Sequence, residues 1–166
     1  MTSHPSPEAR LIQVLSEHHK TLATAESCTG GALANRITNV SGASQVFLGG
    51  VIAYSNELKQ KLLKIDPQLI ARHGAVSAEC AEAMVYGLHF ITGADVCVSI
   101  TGIAGPTGGT SDKPVGTVFT AFLVDGKLEI EKYFIQKERT AFKDEVCERV
   151  AEKLIERLCQ KVPGNF

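Results

Sequence analysis

The stretch Thr21-Leu-Ala-Thr-Ala-Glu-Ser-Cys-Thr-Gly-Gly31 indicates how this chain folds. Its first half, residues 21–25, is short and β-prone, and two glycines close its second half. The residues that follow keep the helical spacing i, i+4 and i+7 with Leu33, Ile37 and Val40. Ser27 therefore lies where a strand passes into a helix. Ligands of open α/β sheets bind at loops that leave the carboxyl ends of strands, so this junction is a candidate functional site.

Predicted strands and helices alternate along the rest of the chain. The spacing of apolar residues predicts helices over 8–19, 56–63, 67–72, 78–91 and 141–160. It predicts further strands over 46–54, 95–101, 115–124 and 128–135. Asp125-Gly126 favours a tight hairpin between the last two strands, which makes that pair antiparallel. We expect an α/β fold: a single three-layer α/β/α domain with a mixed, mostly parallel sheet of about five strands, formed by residues 8–160 between a flexible lead-in (1–7) and a tail (161–166).

Composition limits the classes of function. Of the 166 residues, 44% are hydrophobic and 21% are charged, and the formal net charge is -1, which is typical of a globular protein without the basic face that nucleic acid requires. The five cysteines are scattered without a CxxC pair, so we expect neither a disulfide framework nor a zinc site. No apolar run is long enough to span a membrane. We therefore expect a cytoplasmic protein that does not depend on nucleic acid, membrane or metal.

Ser27 has two interpretations. The glycines behind it would allow backbone N–H groups to approach a ligand, so that Ser27 could attack a carbonyl while those groups stabilise the oxyanion. Alternatively, Ser27 or Thr29 merely caps the helix, because Ser and Thr are among the commonest capping residues. Position alone favours the cap.

A serine nucleophile needs a base, and the five histidines of this chain form no convincing triad. A lysine kept neutral by its surroundings is an alternative base. Lys59 lies one turn into a predicted helix, where positive charge is disfavoured and the pKa of its amine should fall. An exposed helical lysine is the more common case. Ser55 forms a rival pair with Lys59 but has no glycine-rich loop beside it, and Cys28 is a rival nucleophile because thiolates react strongly.

A second glycine-rich segment joins two predicted strands. It reads Ser99-Ile-Thr-Gly-Ile-Ala-Gly-Pro-Thr-Gly-Gly109 and fits neither the GxGxxG nor the GxxxxGK[ST] spacing. Long ordered loops are often functional, and a flexible surface loop is the alternative. Composition alone does not decide between the two.

Five stretches resemble, in order, the CinA C-terminal family, whose characterised members are nicotinamide-nucleotide amidases. They are residues 25–31, 54–59, 73–77, 99–109 and 113–117. The resemblance runs from about residue 11 to residue 158, which is nearly the whole chain. After the last predicted strand this chain has Lys137-Glu138-Arg139 where relatives often carry Gly-Asp-Arg, so it keeps only the arginine.

The resemblance implies hydrolysis of nicotinamide mononucleotide to nicotinate mononucleotide and ammonia, in pyridine nucleotide recycling, without metal or cofactor. It matches the family's serine to Ser27 and its lysine to Lys59, with Tyr54 nearby, and thus favours Ser27 as a nucleophile over a cap. Substrate-binding residues are expected at Thr29, Gly30, Gly31, Asn56, Thr101, Gly102, Gly105, Gly108, Gly109, Arg139 and Lys143.

The substrate's 5′-phosphate should contact backbone N–H groups of residues 102–109 and the planar guanidinium of Arg139, with Lys143 one turn later. Ordinary surface charge is the alternative for Arg139 and Lys143. The alternative function is a catalytically inactive nucleotide-binding or regulatory partner linked to competence or DNA damage, which ammonia release would distinguish from an enzyme. Assembly into a homo-oligomer, most simply a dimer, stays open.

Overall fold

Strands and helices alternate along residues 5–160, the part of the chain that the computed structural model describes. The helices in this range are α1 (Pro7–Glu17), α2 (Ala32–Thr38), α3 (Asn56–Leu63), α4 (Pro67–His73), α5 (Ala78–Thr92) and α6 (Arg139–Cys159). The strands are β1 (Leu22–Glu26), β2 (Phe47–Ile52), β3 (Val96–Gly102), β4 (Thr117–Val124) and β5 (Lys127–Phe134). A short 3-10 turn, Ala43–Gln45, precedes β2.

The strands form one mixed sheet in the order β2-β1-β3-β4-β5. β1 pairs in parallel with β2 and β3, while β4 pairs antiparallel with β3 and β5. Four strands thus point the same way and β4 alone opposes them, which confirms the expected mixed sheet. The hairpin between β4 and β5 turns at Asp125 and Gly126, whose φ angles of 51° and 79° are both positive, as a type I′ turn requires.

Helices cover both faces of the sheet and complete the expected three layers. On one face, the core combines Leu11 of α1, Leu33 of α2 and Phe142 of α6 with inward-pointing strand residues. On the other face, α3, α4 and α5 form a second core. Every residue of β1 is buried, because this central strand has a helical layer on each side.

Element boundaries differ from the expected ones by a few residues. α1 begins at Pro7 instead of residue 8, because proline suits the first helical position and the Ser6 hydroxyl accepts the N–H of Ala9 at 3.2 Å. α6 begins at Arg139, two residues early, which places this arginine in the first turn. Most of the expected lead-in (1–4) and the whole tail (161–166) lie outside the described residues. Within the described range, no helix has the length and apolarity that crossing a membrane requires.

α3 lies unusually close to α5 at Gly87. A Cβ atom added at Gly87 would fall well inside van der Waals contact with the carbonyl oxygen of Leu63, the last residue of α3. Glycine is destabilising in the middle of a helix, so its presence here indicates a packing requirement. The absence of a side chain at position 87 allows α3 to lie directly against the backbone of α5.

Candidate active site

The carboxyl ends of β1, β2 and β3 lie at one edge of the sheet because these strands are parallel. The loops that leave them, the first turn of α3, the segment between α4 and α5 and the start of α6 surround a pocket of about 260 Å³. Its lining consists of Ser27, Cys28, Tyr54, Asn56, Lys59, Ala75, Val76, Thr101, Gly102, Ile103, Ala104, Gly105, Thr107, Gly108 and Arg139. The segments that were singled out from the sequence therefore meet at one place.

The side chain of Lys59 ends at Ser27. Its Nζ lies 3.0 Å from Ser27 Oγ, 2.9 Å from the Ala53 carbonyl oxygen and 3.1 Å from the Tyr54 carbonyl oxygen. A neutral amine has two N–H donors and one lone pair, whereas an ammonium has three donors. When the two carbonyls accept the two N–H groups of neutral Lys59, its lone pair is left for the hydroxyl proton of Ser27. The contacts therefore suit a lysine that acts as the base for this serine.

Burial lowers the pKa of Lys59, and the thiols of Cys80 and Cys28 oppose this shift more weakly. The residue is only 1% exposed, so the exposed helical lysine considered above is not what the structure contains. Within residues 5–160, the hydrogen-bond partners of Nζ are a hydroxyl and two carbonyls, and none is a carboxylate. The sequence attributed the lower pKa to the helix N-terminus, but desolvation is the larger cause.

The two rival nucleophiles have other environments. The Ser55 hydroxyl accepts the N–H of Leu58 at 3.1 Å and caps α3, while Lys59 points to Ser27. Cys28 lines the pocket, but burial raises the pKa of its thiol to about 12. The thiol is consequently protonated at neutral pH, and a protonated thiol is a poor nucleophile.

Ser27 does not cap α2. The residue at the N-cap is Gly31, which has no side chain to offer, and the carboxylate of Glu26 accepts the N–H groups of Leu33 at 2.9 Å and Ala34 at 3.0 Å. The capping function therefore belongs to Glu26, a residue that the sequence analysis did not single out. Its partners lie seven and eight residues away along the chain, so no local pattern reveals the interaction.

Two N–H groups next to Ser27 remain available. The N–H of Ser27 itself donates to the Ile100 carbonyl at 3.0 Å, and the N–H of Gly30 closes a turn with the Ser27 carbonyl at 3.0 Å. In the described part of the chain, the N–H groups of Cys28 and Thr29 donate to no carbonyl or carboxylate oxygen. Cys28 lines the pocket, so its N–H group is the candidate to stabilise an oxyanion formed by attack of Ser27, whereas Thr29 is fully buried and does not line the pocket.

Several expected substrate contacts are not found at the pocket. Thr29 is fully buried, and its hydroxyl has no hydrogen-bond partner among residues 5–160, so its side chain cannot touch a ligand in this conformation. Gly30 and Gly31 do not line the pocket either. Their φ angles of 62° and 94° show that they serve the turn, which is the other reason for glycine at such a position.

Gly109 and Lys143 are also absent from the pocket lining. A Cβ atom at Gly109 would lie 2.6 Å from the backbone nitrogen of Val115, so this glycine permits close packing within the loop. The Lys143 ammonium would lie 3.6 Å from a Cβ atom at Gly30, which places it beside the turn that follows the nucleophile.

Thr101 and Gly102 shape the pocket wall. The Thr101 hydroxyl donates to the Ala75 carbonyl at 2.6 Å, so it fixes the segment that contributes Ala75 and Val76 to the lining. A Cβ atom at Gly102 would lie 3.1 Å from the Cys28 sulfur, and the glycine therefore lets β3 pack against the nucleophile loop. Both residues line the pocket, but the contacts described here hold the pocket wall in place.

Arg139 connects two loops at the rim of the pocket. Its guanidinium donates to the Gly105 carbonyl at 2.7 Å and to the Tyr54 hydroxyl at 2.9 Å. Both acceptors are neutral, so these contacts leave the positive charge of Arg139 uncompensated. Tyr54 is 59% exposed, and its hydroxyl contacts Arg139 while its carbonyl contacts Lys59.

Small and apolar residues complete the lining and were missed from the sequence. They are Ala75, Val76, Ile103, Ala104 and Thr107. They lie within the quoted stretches 73–77 and 99–109, but four of these side chains are apolar and Thr107 offers one hydroxyl, so no chemical pattern singled them out individually. In the described residues, no group of three or more His, Cys, Asp or Glu side chains is placed to hold a metal ion.

Comparison with known sequences gives a consistent picture. A sequence profile described as the CinA C-terminal domain matches residues 5–158. A CinA-like protein of Thermotoga maritima is 57% identical over 112 residues, which are 68% of this chain and 28% of the relative. A putative competence-damage inducible protein of Moorella thermoacetica is 47% identical over 130 residues, 78% of this chain and 31% of the relative. The chain spans about a third of the length of these curated relatives.

Known structures share the fold over nearly the whole chain. A CinA superfamily protein from Klebsiella pneumoniae superposes with a TM-score of 0.90 at 31% identity, covering 93% of this chain and 97% of that one. The competence/damage inducible protein of Agrobacterium tumefaciens gives a TM-score of 0.87 at 31% identity, covering 96% and 100%. The chain therefore belongs to the CinA C-terminal domain family.

Proposed function

We propose that this protein is an amidohydrolase that converts nicotinamide mononucleotide and water to nicotinate mononucleotide and ammonia. The observation that carries the proposal is the buried amine of Lys59, which lies 3.0 Å from the Ser27 hydroxyl and, within residues 5–160, otherwise contacts only two main-chain carbonyls. A buried lysine without a carboxylate partner is well suited to accept a proton near neutral pH.

In the acylation step, neutral Lys59 takes the hydroxyl proton of Ser27 as Oγ attacks the carboxamide carbon. The carbonyl oxygen becomes an oxyanion, which the N–H group of Cys28 can stabilise by about 3 kcal/mol. Lys59 then gives the proton to the leaving nitrogen, the C–N bond breaks, and ammonia departs. The nicotinoyl group remains as an ester on Ser27.

In the deacylation step, water replaces ammonia at the same site. Lys59 accepts a proton from the water as its oxygen attacks the ester carbon, and the proton returns to Ser27 Oγ when the ester bond breaks. The products are nicotinate mononucleotide and free enzyme. Tyr54 is a second candidate for proton transfer, although its hydroxyl contacts Arg139 in this structure.

The lining of the pocket supports a ligand with a flat ring and an anionic group. Ala75, Val76 and Ile103 offer apolar surface, while Arg139 carries a charge that its neutral partners do not compensate. A substrate phosphate has roughly two negative charges near neutral pH and demands fixed donors. We assign the phosphate to the side of the pocket formed by Arg139 and the loop that contains Gly105 and Gly108.

Ammonia release is the direct test. We expect release from nicotinamide mononucleotide to exceed that from its riboside, from nicotinamide and from NAD, and we expect it to persist in EDTA. The Ser27→Ala variant provides the matched background. If the wild-type protein releases ammonia from none of these compounds, the proposal is wrong, and a regulatory or nucleotide-binding function becomes the better account of the relatives' competence-damage names.

A further inference from the structure

Glu26 is the last residue of β1 and stands directly before the nucleophile. Only 1% of it is exposed, yet its carboxylate is well supplied with donors. Oε1 accepts the N–H of Leu33 at 2.9 Å, and Oε2 accepts the N–H of Ala34 at 3.0 Å, with the Thr24 hydroxyl at 3.5 Å. The carboxylate thus reaches from the end of a strand, past the nucleophile loop, to the first turn of α2.

The Glu26 carboxylate and the first N–H groups of α2 satisfy each other's hydrogen-bonding requirements. A buried carboxylate is costly unless hydrogen-bond donors replace water, and the first N–H groups of a helix lack partners within the helix. In the described part of the chain, the donors to Glu26 are these N–H groups and a hydroxyl, and none is a cation. The contact between Glu26 and α2 therefore depends on the length and orientation of the Glu26 side chain, because its carboxylate must lie within hydrogen-bond distance of the Leu33 and Ala34 N–H groups.

The connection closes the loop that contains the nucleophile. Residues 27–31 connect Glu26 to α2. Because the Glu26 carboxylate binds the first turn of α2, it holds together the two ends of this loop. Because the α2 N–H groups already have an acceptor, the Ser27 hydroxyl is free to contact Lys59 at 3.0 Å. The N–H group of Cys28, a residue that lines the pocket, lies in the same loop.

We propose that Glu26 is a positioning residue: by capping α2 it holds Ser27 Oγ against Lys59 and aligns the Cys28 N–H group that stabilises the oxyanion. The inference rests on the proposed function only in taking Ser27 as the nucleophile. Glu26 does not touch the substrate, and it is absent from the pocket lining.

A fluorophosphonate probe tests this without the natural substrate. Ser27 Oγ displaces fluoride from phosphorus and forms a P–O bond, while Lys59 takes the hydroxyl proton. Glu26→Gln keeps the size of the side chain but retains only one acceptor oxygen, and Glu26→Asp keeps the charge but is one methylene too short. We expect both variants to lower the labelling rate constant roughly tenfold to a hundredfold, as small misplacements of reacting groups do.

Ser6→Ala is the matched control, because it removes a helix cap from α1, away from the pocket. Its labelling rate should equal that of the wild-type protein. The rate constant is measured on the molecules that become labelled, so loss of folded protein changes the amplitude and not the rate. For turnover of the mononucleotide, kcat should fall in both Glu26 variants, while KM stays within about twofold.

Each outcome decides the inference. Wild-type labelling rates in Glu26→Gln and Glu26→Asp would overturn it, and so would a wild-type rate in Glu26→Asp alone, since the charge without the reach would then suffice. A wild-type protein that is not labelled at Ser27 would remove the nucleophile and the inference with it. If labelling follows the expected pattern but no ammonia is released from the mononucleotide, the proposed substrate fails and the positioning role stands.

Discussion

Two buried basic side chains in this molecule have opposite surroundings. Lys59 contacts two carbonyls and one hydroxyl at the pocket, and none of these groups is charged. Arg157 of α6 has an 8% exposed side chain, but its guanidinium contacts the carboxylates of Glu129 at 3.0 Å and Glu131. The guanidinium carbon of Arg157, Cζ, also lies 4.0 Å from the centre of the Phe122 ring.

The difference shows what a counter-charge does to a buried cation. Carboxylates and an aromatic face stabilise Arg157 as a cation, whereas burial among neutral groups lowers the pKa of Lys59. The partners of Arg157 respond in turn: hydrogen bonding from Lys127 and the charge of Arg157 lower the pKa of Glu129. Arg157 therefore stabilises the packing of α6 against the sheet, whereas Lys59 is available for proton transfer.

The largest expected effect comes from removing either half of the Ser27–Lys59 pair. Ser27→Ala and Lys59→Met should each lower kcat roughly 10⁴-fold or more, because the two residues act as a unit. Lys59→Arg should not restore activity, since arginine stays protonated and would resemble Arg157. An active Lys59→Arg enzyme would show that a positive charge is sufficient, and loss of activity in Ser55→Ala but not Ser27→Ala would identify a different nucleophile.

The pH dependence of kcat/KM is the next test of the comparison. A lowered pKa means that Lys59 loses its proton at a lower pH than an ordinary lysine, whose pKa is 10.5. Activity should thus rise about tenfold per pH unit below this pKa and level off above it, with a midpoint below 10.5. Arg157→Met provides the control and should keep the same profile. A rate that falls as the pH rises in this range would contradict the assignment of Lys59 as the base.

Arg157→Met should affect stability and leave catalysis alone. Removing one partner of a buried ion pair typically costs about 3–5 kcal/mol, because the remaining charges are uncompensated. Glu129 and Glu131 have side chains that are 34% and 25% exposed, so water screens part of the loss, and about 2 kcal/mol is expected in the free energy of unfolding. Urea denaturation measures this change. A drop in kcat per folded molecule would show that the two cations are coupled.

Arg139 is a third cation, at the rim, and it should determine preference for the phosphate. A charge-assisted contact is worth about 1.5–3 kcal/mol, so Arg139→Ala should lower the ratio of kcat/KM for the mononucleotide over the riboside at least tenfold. Arg149→Ala is the matched control, since this arginine of the same helix contacts Glu145 and does not line the pocket. An unchanged ratio in Arg139→Ala would assign the phosphate to the loop N–H groups alone.

Local patterns in the sequence were sufficient for the fold. The alternation of apolar segments predicted a mixed sheet with helices on both faces, and Asp125-Gly126 predicted the hairpin between β4 and β5. The strand-to-helix junction at Ser27 was predicted for the same reason, since the change from β to helical spacing lies within a few residues. These features depend on neighbours along the chain, which a sequence displays directly.

Contacts between distant segments were not predictable in this way. The burial of Lys59 depends on how α3 packs, and on its sequence position alone an exposed lysine was the more common expectation. Glu26 meets α2 across the nucleophile loop, so it resembled any polar residue at a strand end. Thr29 was expected at the substrate because of its position, but the turn directs its side chain into the interior.

The close packing at Gly87 extends the sequence requirements of the active site to a residue that never meets a ligand. Because α3 lies against the bare backbone of α5 there, any side chain at position 87 would push away the helix that presents Lys59. In a library of random substitutions selected for turnover, we expect this position to accept glycine alone, as strictly as Ser27 accepts serine. Intolerance to substitution at position 87 would then reflect how closely α3 packs against α5. It would not indicate that position 87 takes part in the chemistry.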